Sequence, residues 1–167
     1  KALVHEQEWT RLEPLLTALD QKGLLPLVSL DTRNDQTARK CMQGGIRFFN
    51  NVNGLYEDET LQLIAEQTKS SYIAMHMHGK PETMQQNPLS GSEAIQAVEN
   101  FCRTSIDHLL AKGFTKDRLW FDPGIGFGKD DAANFALLRH SKVLRECYNI
   151  CIGISRKGFL GRLFGID

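Results

Sequence analysis

Five short apolar runs, each ending near a polar residue and each followed by a helix-like stretch, constrain this chain more than any other feature of its sequence. The polar residues are Asp31, Asn50, His76, Asp122 and Ser155. Trp9, Leu12, Leu15, Leu16 and Leu19 recur at three- and four-residue spacing, which predicts an opening amphipathic helix closed by Gly23, with Lys1 leading into its polar start. Strands are expected over residues 26–31, 46–50, 71–76, 118–122 and 150–154. Helices are expected over 36–43, 60–67, 92–112, 132–146 and 157–164, with Gly44-Gly45 as a stop and a long loop through Pro81 and Pro88. No Asn-Gly turn stands between two strand runs, so neighbouring strands must be parallel and joined by helical crossovers. A barrel and a doubly wound open sheet both satisfy that rule. Polar groups at the C-terminal end of every strand favour the barrel, where those ends converge on one face, over a sheet that gathers its site at one switch point. The expected fold class is α/β: a TIM-type (β/α)8 barrel, partial here with about five βα units, as one incomplete barrel domain over residues 1–167.

Charge and composition exclude several roles. Twenty basic residues balance twenty acidic ones, so no broad field would grip nucleic acid or an anionic membrane, and any anion must be held locally. No stretch approaches the ~18 apolar residues needed to span a bilayer, and no signal-peptide pattern opens the sequence. Cys41, Cys102, Cys147 and Cys151 form no C-x-x-C pair and read as reduced thiols, which makes the cytoplasm the expected location.

The strand ends offer two carboxylates (Asp31, Asp122), an amide (Asn50), a thioether (Met75), two histidines (His76, His78) and a cationic pair (Arg156, Lys157). An ionised carboxylate accepts two parallel hydrogen bonds and so suits an amidine- or guanidine-like edge rich in N–H donors. Plainer readings stand beside this one: Asp31 as cap of the next helix, Asp122 as a turn residue in Asp-Pro-Gly. The loop Pro123-Gly-Ile-Gly-Phe-Gly-Lys129 is no phosphate loop: Asp130 stands where a Walker A loop needs Ser or Thr, and Lys129 where a dinucleotide fingerprint needs glycine. Its glycines suit close approach of backbone to a flat ligand, with Phe127 offering a ring or, alternatively, filling the core. His76 and His78 lack further ligands at zinc spacing, so His76 reads as a satisfied histidine at the barrel mouth. Ser155-Arg-Lys-Gly158, opening a helix, reads as an anion site or as a surface charge pair.

Taken in order, Val28-Ser-Leu-Asp31-Thr, Phe48-Phe-Asn50, Met75-His-Met-His-Gly-Lys-Pro-Glu-Thr-Met84, Phe121-Asp-Pro-Gly-Ile-Gly-Phe-Gly-Lys129 and Gly153-Ile-Ser-Arg-Lys157 resemble the dihydropteroate synthase family across essentially the whole chain. The resemblance implies a transferase of folate biosynthesis. It would condense (7,8-dihydropterin-6-yl)methyl diphosphate with 4-aminobenzoate to give dihydropteroate and diphosphate. It also implies Mg2+ as cofactor, sulfonamides as inhibitors that mimic 4-aminobenzoate, and a homodimer. Carried over by motif, Asp31, Asn50, Met75, Asp122, Gly126 and Lys157 would bind the pterin, and Phe127, Arg156, Lys157 and Gly158 would meet the aminobenzoate. Asp31 and Lys157 would be catalytic, with Asp31 stabilising a cationic methylene after diphosphate leaves.

Two positions depart from the family. Asn51 stands where Asp usually follows the Asn, which is expected to remove a charge near the pterin, and Gly158 stands where a serine is common. The resemblance also implies that the family's first two strands and last strand, with their metal, diphosphate and Arg-Val-His groups, lie outside these residues. No metal ligand is therefore expected in this chain, which alone would not catalyse efficiently. Two other readings are a pterin-binding fragment without turnover and a corrinoid-type pterin-dependent methyltransferase.

Overall fold

The computed structural model describes residues 3–165, so Lys1 lies outside the described residues. Helix α1 (His5–Asp20) turns Trp9, Leu12, Leu16 and Leu19 against the core, while Leu15 stays exposed. Pro26 and Leu27, expected to open a strand, lie instead in a 3-10 turn, Leu25–Leu27. A proline has no N–H to give a ladder and its fixed φ suits a helical first position, so strand β1 begins only at Ser29 and ends at Asp31. Helix α2 (Asp35–Gln43), strand β2 (Phe48–Asn51), helix α3 (Asp58–Glu66), strand β3 (Ser71–Met75), helix α4 (Gly91–Ala111) and strand β4 (Leu119–Asp122) follow as the periodicity predicts. Helix α5 (Asp131–Leu144) leads to strand β5, which is only Asn149–Ile150, and helix α6 (Gly158–Phe164) comes last among the described residues. Residues 151–154, expected to extend β5, run as irregular chain, so Ser155 stands beyond a loop and not at a strand end.

The five strands are all parallel and hydrogen-bonded in the order β1-β2-β3-β4-β5. A doubly wound sheet reverses its order at a switch point, and this one never does. Crossovers of one hand then put every helix on the same side, as in a barrel. Burial follows the pleat. Leu30, Phe49, Tyr72, Ala74, Leu119 and Phe121 are buried on the helix side, with Leu61, Ile64, Val98, Leu109 and Leu137 packed over them. On the other side Phe48 and Trp120 remain 37% and 38% exposed, so the face that turns inward in a closed barrel is open to solvent.

Two polar groups secure loops within this frame. Arg118 reaches back to the C-terminus of α3, donating to the carbonyls of Ser70, Ala65, Ile64 and Gln67. Glu8 of α1 accepts from the Thr32 and Thr37 hydroxyls at 2.7 and 2.6 Å, holding the turn that follows Asp31. No helix among the described residues is long and apolar enough to cross a membrane.

Candidate functional site

Register decides which strand-end groups meet. Asp31 pairs with Asn50 across β1 and β2, and Met75 with Asp122 across β3 and β4, all on the open sheet face. Asp31 is not a helix cap: Asn34 takes that role, its side chain accepting from the amides of Gln36 and Thr37. Burial pushes the Asp31 carboxyl above its ordinary value, the Asn50 side chain pulls it down, and the Glu8 charge raises it again. Asn50 Oδ1 is buried and has no hydrogen-bond partner among the described residues. Such an acceptor costs about 1–3 kcal/mol until a donor reaches it.

Asn51 corrects an expectation. One residue further along the pleat, it faces the helices and is 1% exposed, and its Oδ1 accepts from the Asn53 amide at 2.8 Å to close the turn after β2. The change from the family's Asp therefore lies on the opposite face from Asn50 and removes no charge beside that site.

Asp122 is a turn residue whose carboxyl also lies on the open sheet face. Its Oδ1 accepts from the Gly124 amide at 2.7 Å, which orients the carboxylate at the end of β4. Burial pushes the Asp122 carboxyl above the usual carboxylate range, while the Gly124 amide, Lys157, Lys129 and the Gly153 amide all favour the charged form. Lys157, directly before α6, lies 4.2 Å from the Phe127 ring centroid, and its methylene chain passes close to Gly126. Burial lowers the Lys157 ammonium and Asp122 raises it. Phe127 is half-buried under this cation and not a core residue. Arg156 is exposed with φ of 57°, a conformation that turns the chain into α6, and Gly158 begins that helix.

His76 also differs from expectation. It is 9% exposed with its edge against Phe101, and its Nδ1 has no partner among the described residues, so it is not satisfied. Burial, reinforced by Lys129 and His78, pulls the imidazole down to about 3, which keeps it neutral. The two loops that carry His76 and Phe127 are zipped together by backbone bonds from His78 to Phe127 and from Leu89 to Gly128, and by Gln85 donating to the Gly126 carbonyl. Lys129, 2% exposed, donates to the carbonyls of Gly124, Phe127 and His76. Sequence reasoning tested Lys129 only as a phosphate-loop residue. Its position directly after three alternate glycines, whose missing side chains leave room for a long one to fold back, was the available signal.

Mg2+ needs one or two carboxylates with water and phosphate oxygens around it. Asp31 and Asp122 sit on strands three places apart, roughly 14 Å at the usual strand spacing. No group of three His, Cys, Asp or Glu among the described residues is placed to hold a metal. The four cysteines are unpaired, and burial pushes the Cys41 and Cys102 thiols up to about 11 and about 12.

Known proteins share this arrangement of elements. A dihydropteroate synthase of Neisseria meningitidis serogroup C is 34% identical over 163 residues, covering 96% of this chain and 56% of the relative. One from Synechocystis is 31% identical over 159 residues, covering 95% and 54%. Among solved structures, a Yersinia pestis dihydropteroate synthase with a sulfonamide drug superposes with a TM-score of 0.87 at 28% identity, over 100% of this chain and 60% of that one. The Thermus thermophilus enzyme in complex with 6HMPPP gives 0.84 at 31% identity, over 97% and 63%. This chain thus spans little more than half the length of the curated relatives it matches. With five parallel strands in barrel order, polar groups at or just beyond the C-terminal ends of the first four, and the pterin binding enzyme family matching residues 2–167, the chain belongs to that family.

Proposed function

We propose that this chain forms the pterin site of a dihydropteroate synthase, the enzyme that joins (7,8-dihydropterin-6-yl)methyl diphosphate to 4-aminobenzoate. The observation that carries the reading is the unpartnered Asn50 Oδ1, on one sheet face with the Asp31 and Asp122 carboxylates. One unpartnered amide oxygen beside two carboxylates with acceptor capacity to spare calls for a ligand rich in N–H groups, and the 2-amino and N3–H edge of a pterin supplies two in parallel. Asp122 would take that edge, Asn50 a further ring N–H, and Lys157 the ring acceptors, with Met75 and Gly126 against the ring. Phe127, Arg156, Lys157 and the Gly158 amide would face the aminobenzoate, whose carboxylate suits the cations. The C–O bond to diphosphate would break with its electron pair leaving on diphosphate, and Asp31 would stabilise the methylene cation. The aminobenzoate nitrogen would then form the new C–N bond and release a proton to solvent. No step is assigned to Mg2+, and sulfonamides would compete at the aminobenzoate subsite.

The matched proteins named above are dihydropteroate synthases, which favours this reading over the methyltransferase. The open sheet face with Phe48 and Trp120 exposed favours a second reading for the chain by itself, pterin binding without turnover. Titration with 6-hydroxymethylpterin, beside an assay of dihydropteroate formation, separates the two. Binding with product supports the synthase, binding without product supports the second reading, and no binding overturns both. Asp31→Asn should lower turnover by more than it weakens pterin binding. Unchanged turnover would remove the cation-stabilising role.

A further inference from the structure

The mouth of the open face contains one charged side chain that no ligand would touch. Lys129 lies at the end of the β4–α5 loop, one residue before the Asp130 cap of α5, and folds back under its own loop. Its ammonium has three donors, and three carbonyls use them: Gly124 at 3.0 Å, Phe127 at 3.0 Å and His76 at 3.4 Å. Two of these residues are the ones that hold Asp122. The His76 amide donates to the Asp122 carbonyl at 2.9 Å, and the Gly124 amide donates to Asp122 Oδ1 at 2.7 Å. Lys129 therefore fixes both partners of Asp122 from behind, tying the loop after β3 to the loop after β4.

A neutral donor would satisfy three carbonyls at a lower desolvation cost than a buried ammonium. What a neutral donor would not supply is positive charge on the inner side of Asp122, opposite the Lys157 ammonium on the outer side. The titratable groups facing this pair are Asp122 on β4, His76 and His78 on the loop after β3, Lys157 before α6, and Cys151 after β5.

We infer that Lys129 is a positioning residue of the pterin site: it clamps the two loops together and holds Asp122 oriented and charged toward the ligand without touching it. The inference rests on the pterin reading for its ligand, while the clamp itself is measurable with no ligand present. Burial lowers the Lys129 ammonium to about 7, with Asp122 raising it and Lys157 lowering it, so its full charge is present below neutral pH.

Hydrogen exchange followed by mass spectrometry tests the clamp in the unaltered chain. Amides of residues 76–80 and 124–128 should open with one common protection factor, and one loop opening without the other would overturn the clamp whether or not any variant folds. In Lys129→Met, both loops should exchange at least tenfold faster while the amides of β2 and β3 keep their protection. The ligand arm is a double-mutant cycle with Asp122→Asn, read as the dissociation constant of 6-hydroxymethylpterin. Lys129→Met should weaken binding tenfold or more in the unaltered background and less than threefold in Asp122→Asn. Equal losses in both backgrounds would reduce Lys129 to a structural plug and overturn the inference. Binding should also fail at a higher pH in Lys129→Met, because Asp122 would be easier to protonate, and an unmoved acid limb would contradict the charge role. If the unaltered chain binds no pterin, the functional reading fails, and the exchange result still decides the clamp.

Discussion

Gly124→Ala, set against Gly23→Ala, isolates the contact on which the mouth of the site depends. The two glycines share nearly the same backbone conformation, φ of +67° and +66°, so an alanine carries the same left-handed strain at each, roughly 1 kcal/mol. Their surroundings differ completely. A methyl at Gly23 meets nothing within 4 Å, whereas one at Gly124 would overlap the His76 carbonyl oxygen and lie 3.0 Å from its carbon. That carbonyl accepts from Lys129, whose Nζ would itself lie 3.4 Å from the methyl, and it follows directly on β3, so it cannot swing away freely. Overpacking of this kind typically adds about 1–3 kcal/mol. Gly23→Ala should therefore cost about 1 kcal/mol and Gly124→Ala about 2–4 kcal/mol, read as the shift in urea midpoint at constant m-value. Pterin affinity should fall in Gly124→Ala and stay unchanged in Gly23→Ala. Equal stability losses in the two variants would refute the close packing of the loop after β4 on the loop after β3.

Two further outcomes follow from the same contacts. Arg118→Ala removes four hydrogen bonds to carbonyls around the end of α3 and should cost about 2–3 kcal/mol in urea unfolding. Arg118→Lys should recover only part of this, since one ammonium cannot span the fork. His76 is held neutral down to about 3, well below its unfolded value, so between those limits the unfolded chain binds the extra proton. Stability should thus fall as pH drops from about 6.5 to about 3, with a slope contribution near 1.4 kcal/mol per pH unit that His76→Phe removes. An unchanged slope in that variant would place the acid sensitivity elsewhere.

Much of the fold was legible because its signals were local. Apolar spacing marked α1, the paired glycines stopped α2, and the polar strand ends pointed to one face of a parallel sheet. What depended on parity or on distant partners was not legible. Asn50 and Asn51 are identical in type, yet one faces the open side and the other the helices, and only strand register settles which. Asn34 displaced Asp31 as the α2 cap because its side chain reaches two amides of the first turn. Pro26 and the two-residue β5 show where apolar content outran the backbone pairing actually available. Lys129 was hidden for another reason: its three acceptors are backbone carbonyls, which no residue pattern records.

The most direct measurement is the calorimetric dissociation constant of 6-hydroxymethylpterin for the unaltered chain and for Asp122→Asn. An asparagine offers one acceptor and turns an N–H donor toward the pterin edge, so losing the charge-assisted pair should weaken binding by roughly 10- to 100-fold, about 1.4–2.8 kcal/mol. Affinities within twofold of each other would contradict the pterin site at the end of β4.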